Sequence, residues 1–164
     1  MKAAVLEGVE KLVVQDVPRP EPKADELVVK VACCGICGTD VKLFHGEYQT
    51  EYPVVLGHEF AGEVLEVGPE VTAIQVGDRV VSDPNESCGK CEWCRAAQSM
   101  SCQSLAAYGV FRDGAFAEYV LIREAGAYKI GDDLTDEVAC FAEPVACAVH
   151  GADCAAYRPG ETAV

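Results

Sequence analysis

Apolar residues in the first half of the chain come in short runs separated by glycine and proline. Ala3–Leu6, Leu12–Val17 and Leu27–Cys33 are apolar or β-branched, with Gly8 and the Pro18-Arg19-Pro20-Glu21-Pro22 segment between them. Runs of this length bounded by turn residues predict strands. Glu59–Val67 and Arg79–Ser82 read the same way, joined through Gly68-Pro69 and Gly77-Asp78. Thr39-Asp40 predicts the cap of a short helix that runs to about Phe44 and stops at Gly46. Residues 83–115 have no periodicity and are rich in Cys, Gly and polar residues, and a further strand is expected over Ala115–Ile122. Asp136–Phe141 and Pro144–Ala156 predict two helices, the second with proline in its first turn. Many short strands followed by late helices predict a mainly β, barrel-like body with helices at its end.

Composition narrows the classes of function. The chain has 164 residues, about one domain's worth, and 50% are hydrophobic, enough to bury a core. Its net charge of −14 argues against nucleic acid and against anionic membranes, since both demand clustered Lys and Arg. The acidic residues are dispersed, which predicts a solvated surface. Met1-Lys2-Ala3-Ala4-Val5-Leu6 runs straight into Glu7, so no signal-peptide core develops, and no stretch approaches the ~20 apolar residues of a membrane helix. A cytoplasmic location is expected. Ten cysteines in a reducing compartment then point to metal rather than disulfides.

Four of those cysteines, Cys88, Cys91, Cys94 and Cys102, are spaced C-x2-C-x2-C-x7-C. Zinc takes four thiolates at the corners of a tetrahedron, and close C-x2-C pairs present two of them without a long loop to close. An iron–sulfur cluster or a group of plain thiols are the competing readings. The bacterial ferredoxin run places its fourth Cys closer and follows it with Pro, whereas Cys102 is followed by Gln103. The expectation is a closed structural zinc site in a lobe spanning about 84–110.

A second constellation is dispersed. Gly35-Ile36-Cys37-Gly38-Thr39-Asp40 and Gly57-His58-Glu59-Phe60-Ala61-Gly62 offer a thiolate, an imidazole and a carboxylate, the donor types of a catalytic zinc that keeps a position open. Each residue alone has a plainer reading: Cys37 as a small core residue, His58 as a hydrogen-bonded core histidine, Glu59 as a surface charge.

The run Gly57-His58-Glu59-Phe60-Ala61-Gly62-Glu63-Val64-Leu65-Glu66-Val67-Gly68-Pro69-Glu70-Val71 resembles the zinc signature of the zinc-dependent medium-chain dehydrogenases. Gly77-Asp78-Arg79-Val80, the four-cysteine lobe, Asp113–Tyr119 and Glu143-Pro144-Val145-Ala146-Cys147 fall in that family's order, so the resemblance covers essentially the whole chain. It implies a GroES-like, partly open β-barrel over residues 1–157, holding two zinc ions, one structural and one catalytic. It makes Cys37 and His58 catalytic zinc ligands, and Glu59 a ligand or a neighbour that exchanges with water. Glu143 stands where the alcohol dehydrogenase branch has a third Cys/His-type ligand and the polyol and threonine branches have Glu, hence a ligand or a base. Thr39 matches the hydroxyl that passes on the substrate proton. Many members have a His five residues after the first zinc Cys, and here that position is Lys42, so the relay is expected to run through water or through His45.

The implied activity is oxidation of a small secondary alcohol, a polyol, threonine-like or related, with hydride transfer to NAD or NADP. The resemblance also implies an α/β Rossmann domain, of which residues 158–164 read as the first few, and homo-oligomers (dimers or tetramers) of the full-length enzyme. No G-x-G-x-x-G occurs, so no cofactor-binding residue is expected within 1–164, and this stretch alone is expected to turn over nothing. Two rivals are a stand-alone zinc-binding module without catalysis and a thiol redox protein; the latter lacks a C-x-x-C on a βαβ unit. Cys33, Cys34, Cys140, Cys147 and Cys154 have no ligand spacing and read as small buried residues.

Overall fold

Leu27, Val29, Phe60, Val64, Val80, Val120 and Ile122 come from four different strands and meet in one buried cluster. Their side chains point to the same face because successive strand residues alternate. In the computed structural model, which describes residues 1–155 and 160–161, the strands are β1 (Lys2–Gly8), β2 (Lys11–Asp16), β3 (Glu26–Gly35), β4 (Val54–Val55) and β5 (Glu59–Val67), then β6 (Arg79–Ser82), β7 (Asn85–Glu86), β8 (Ala106–Ala107), β9 (Tyr119–Arg123) and β10 (Ala127–Lys129). The helices are α1 (Gly38–Phe44), α2 (Glu92–Arg95), α3 (Asp136–Ala139) and α4 (Ala142–Ala155).

The main sheet runs β10-β6-β5-β3-β9, and a smaller one runs β2-β1-β4. Together they form the curled half-barrel expected from the sequence. All pairings in the two sheets are antiparallel. A second cluster of Leu6, Leu43, Val54, Leu56 and Val110 fastens α1 to the small sheet, and a third, with Ala61, Val81, Ala139 and Cys140, packs α3 on the outer face of β5 and β6. Among the described residues no helix is long and apolar enough to cross a membrane.

Three expectations are corrected. The strand expected over Ala115–Ile122 begins only at Tyr119. Residues 115 and 116 instead donate to the carbonyls of Gly57 and Leu56, and Glu118 to that of Lys2, so their alternation serves a loop bonded along residues 56–57 and the start of β1. The segment 83–115 is not wholly irregular, since β7 and β8 pair within it and α2 carries part of the lobe. The cap of α1 is Cys37, whose N–H is bonded by the Asp40 carboxylate, so Thr39 lies inside the helix. The strand expected to begin near Thr162 lies outside the described residues.

Candidate metal centres

The pairing of β3 with β5 assembles the first centre. Gly35 at the end of β3 faces Glu59 at the start of β5. Cys37 is two residues beyond one strand end and His58 is one residue before the other. Three donors distant in sequence therefore arrive at one point. A Cβ on Gly35 would stand 2.4 Å from Glu59 Oε2, so the carboxylate occupies the space a side chain would take. Gly57 enters β5 at φ +92°, where L residues are strained, and a Cβ there would meet the Phe116 ring at 2.4 Å. Both glycines are set by this crossing.

Cys37, His58 and Glu59 each offer a donor atom within 4.8 Å of the others. Asp40 holds the two loops together. Its Oδ2 accepts the Cys37 N–H at 2.8 Å, its Oδ1 accepts the Gly57 N–H at 3.2 Å, and Oδ1 lies 3.7 Å from His58 Nδ1. Burial raises the Asp40 pKa, against the lowering effect of those N–H groups and of His58. Nδ1 of His58 is buried and has no hydrogen-bond partner among the described residues. A buried ring nitrogen left without a partner is costly. Asp40 Oδ1, 3.7 Å away, is the carboxylate that faces this nitrogen and orients the ring; a cation held at Nε2 would fix the proton on Nδ1, aimed at Asp40. One sulfur, one nitrogen and one oxygen donor fit zinc at 2.0–2.3 Å.

The remaining site residues border this group. Thr39 Oγ1 lies 3.6 Å from Cys37 Sγ. Thr39, His58 and Glu143 line a cavity of about 240 Å³ whose other walls include Tyr48, Asn85 and Phe111. Glu143, on the first turn of α4, is outside the three-donor group; its Oε1 accepts the Cys147 thiol at 3.4 Å. That bond, followed by burial and the charges of Glu143, Cys37 and Glu59, raises the Cys147 pKa. Lys42 is exposed, and His45 faces Glu10 at 3.2 Å on the surface, away from the cavity lining.

The second centre is local. All four sulfurs of Cys88, Cys91, Cys94 and Cys102 fall within 4.8 Å of one another. Zinc with Zn–S of about 2.3 Å requires tetrahedral S···S edges of about 3.8 Å. The Cys91–Cys94 and Cys88–Cys94 separations are 3.4 and 3.9 Å. These are far longer than a disulfide bond, and none of the cysteines is oxidised. The N–H groups of Cys88 and Ser104 point at Cys102 Sγ at 3.3 and 3.4 Å, and that of Cys91 at Cys88 Sγ at 3.4 Å. The N–H groups of Lys90 and Cys91 draw the Cys88 pKa down to about 6, and the N–H of Cys94 lowers that of Cys91, whereas burial and the neighbouring thiols Cys91 and Cys102 push Cys94 up to about 11, so that without an ion the group shares protons among its sulfurs. Glu86 ties the lobe to the barrel through Tyr108 and Arg112.

Two readings of single residues change. Asp40 was legible only as a helix cap; the signal for its larger role is its spacing of three from Cys37, which puts a carboxylate under the first helical turn. Of the cysteines read as small buried residues, Cys140 is buried and Cys33 and Cys34 are half-buried, but Cys147 and Cys154 are exposed on α4.

A half-barrel that carries a cluster of four cysteines and a separate cluster of Cys, His and Glu beside a cavity has the layout of a domain of the alcohol dehydrogenase type. Residues 23–132 match the alcohol dehydrogenase GroES-like domain, and the chain belongs to that family. It is 43% identical over 136 residues to D-arabinitol dehydrogenase 1 of Uromyces fabae, covering 83% of this chain and 39% of the relative. L-threonine 3-dehydrogenase of Shewanella loihica is 41% identical over 141 residues, with coverages of 84% and 41%. The chain thus spans about two fifths of the length of these curated relatives. Among solved structures, an NADP-bound protein of Sinorhizobium meliloti 1021 assigned as a zinc-binding dehydrogenase superposes with a TM-score of 0.90 at 49% identity, over 93% of this chain and 45% of that one. Galactitol-1-phosphate dehydrogenase from Escherichia coli superposes with a TM-score of 0.90 at 32% identity, over 95% and 45%.

Proposed function

We propose that this chain is the zinc-binding catalytic part of a dehydrogenase that oxidises a secondary alcohol, a polyol, threonine-like or related, to a carbonyl with NAD or NADP. The observation that carries this reading is the convergence of Cys37, His58 and Glu59 within 4.8 Å, beside a cavity that also exposes Thr39 and Glu143. D-arabinitol and L-threonine, after which two relatives are named, both carry secondary hydroxyl groups. Zinc held by Cys37, His58 and Glu59 supplies the Lewis acid that lowers the pKa of an alcohol, and the nicotinamide supplies the hydride acceptor.

The chain's own residues do the rest. Thr39 takes the proton from the alcohol oxygen at its Oγ1 and passes its own hydroxyl proton onward. Lys42 is exposed and does not line the cavity, and His45 is engaged with Glu10. The proton therefore leaves through cavity water, with Glu143 at the rim as the acceptor. Tyr48, Phe111 and Val110 line the substrate side of the cavity and shed water from it. A second zinc, held by Cys88, Cys91, Cys94 and Cys102, stabilises the lobe and takes no part in the reaction.

Turnover of polyols, L-threonine and simple secondary alcohols by the full gene product, with NAD and with NADP, tests this reading. Thr39→Val is expected to keep both zinc ions and to lower turnover by about 100-fold or more. Absence of turnover with every secondary alcohol while both sites are filled would overturn the assignment.

A further inference from the structure

Cys147 follows Glu143 by one helical turn, so the two side chains share a face of α4. Cysteine side chains on a helix lean back toward its N-terminus, which brings the thiol onto the carboxylate, and the S–H donates to Oε1 at 3.4 Å. Glu143 stands in the wall between two cavities. It lines one of about 240 Å³ together with Thr39 and His58, and another of about 590 Å³ together with Cys147 and His150. Cys37, His58 and Glu59 close on one another without it.

We infer that Cys147 is a positioning residue: its thiol holds the Glu143 carboxylate on α4, outside the metal's ligand set, so that Glu59 supplies the carboxylate of that set. The inference rests on the reading of Cys37, His58 and Glu59 as zinc ligands. The physical basis is a competition for one oxygen. Oε1 is committed to the helix by an S–H donor, and a thiol is a weak donor, so the hold is modest and can be lost to a single substitution. Once released, Glu143 is a fourth donor, and the third anionic one, facing the same cavity as His58, and a fourth ligand completes the tetrahedron that zinc prefers. Glu143 held back remains available to take a proton at the rim.

Alanine at Cys147 removes the donor and suits a helix, and the nearly isosteric Cys147→Ser controls for any change of packing around α4. The test is zinc affinity at the weaker of the two sites of the full gene product, measured by chelator competition. Cys147→Ala is expected to bind zinc about tenfold more tightly, the scale on which neighbours of ligands act. Cys147→Ser keeps a hydroxyl donor and is expected to match the parent protein. Combining Cys147→Ala with Glu143→Gln is expected to give the affinity of Glu143→Gln alone. Replacing zinc by cobalt adds a spectroscopic check: the visible bands of the weaker site should shift in Cys147→Ala and not in Cys147→Ser. An affinity for Cys147→Ala that is unchanged or weaker, or a tightening that persists with Glu143→Gln, overturns the inference. Uptake of one zinc only, in the lobe, overturns the underlying reading and the inference with it.

Discussion

The two centres use different means to gather their donors. The lobe takes four sulfurs from residues 88–102, brought together by a short helix and by backbone N–H groups aimed at the sulfurs. The first centre takes its donors from positions 37, 58 and 59, brought together by the β3–β5 ladder and by one buried carboxylate, Asp40, that bonds the loops from both sides. The lobe gathers four sulfurs. The first centre gathers three donors and opens onto a cavity. A locally built site owes its stability to its metal, whereas a site hung on a sheet keeps its shape when the metal leaves. That contrast fits a division between holding structure and doing chemistry.

The strongest way to break this contrast is to disable the lobe. Cys91→Ser removes, from a segment with almost no apolar core of its own, one of the four clustered thiols proposed to hold the second zinc. It is expected to cost on the order of 3 kcal/mol, which lowers the melting temperature of a domain of this size by roughly 6–12 °C. Calorimetry of the full gene product checks this; an unchanged melting temperature would mean that the lobe stands without its ion. A more selective test is Asp40→Asn, which keeps the shape of the side chain but removes the charge beside His58 and turns one of its two acceptors into a donor. Zinc affinity at the first centre is expected to fall about 10- to 100-fold while the lobe keeps its ion. Equal losses at both sites would show that Asp40 supports the fold at large rather than one centre. The smallest expected effect is that of His45→Gln, which should leave zinc content at two and turnover within about twofold, since the ring faces Glu10 on the surface. A loss of 100-fold would place His45 in the proton path and remove the water route.

The same contrast explains what could be read from the chain alone. The lobe is written in a spacing of a few residues, and the strands β1, β2, β3, β5 and β6 in runs bounded by glycine and proline; the structure bears the strands out and gathers the four sulfurs of the lobe within 4.8 Å of one another. Cys37, His58 and Glu59 were nameable through family motifs, but their convergence depends on which residue of β3 faces which residue of β5, and two register irregularities in β3 intervene. No local pattern reports those. Asp40 was hidden for a similar reason, because its partner Gly57 is supplied by a loop seventeen residues away. The overextended strand at Ala115 has a simpler origin. Its residues alternate, but residues 115 and 116 satisfy their N–H groups on loop carbonyls, so the periodicity marks burial rather than a ladder. The exposed placement of Cys147 and Cys154 was missed because cysteine is usually buried, a tendency that says nothing of where a given helix face looks.

Metal content under chelation tests the division between the centres most directly. The full gene product, purified without chelator, should hold two zinc ions per chain. Brief treatment with a chelator should then remove one, with loss of turnover and little change in melting temperature. The second should leave slowly and take the fold of the lobe with it. Zinc that is absent from the outset, or two ions that leave together with a single loss of structure, would contradict a closed structural site beside an open reactive one.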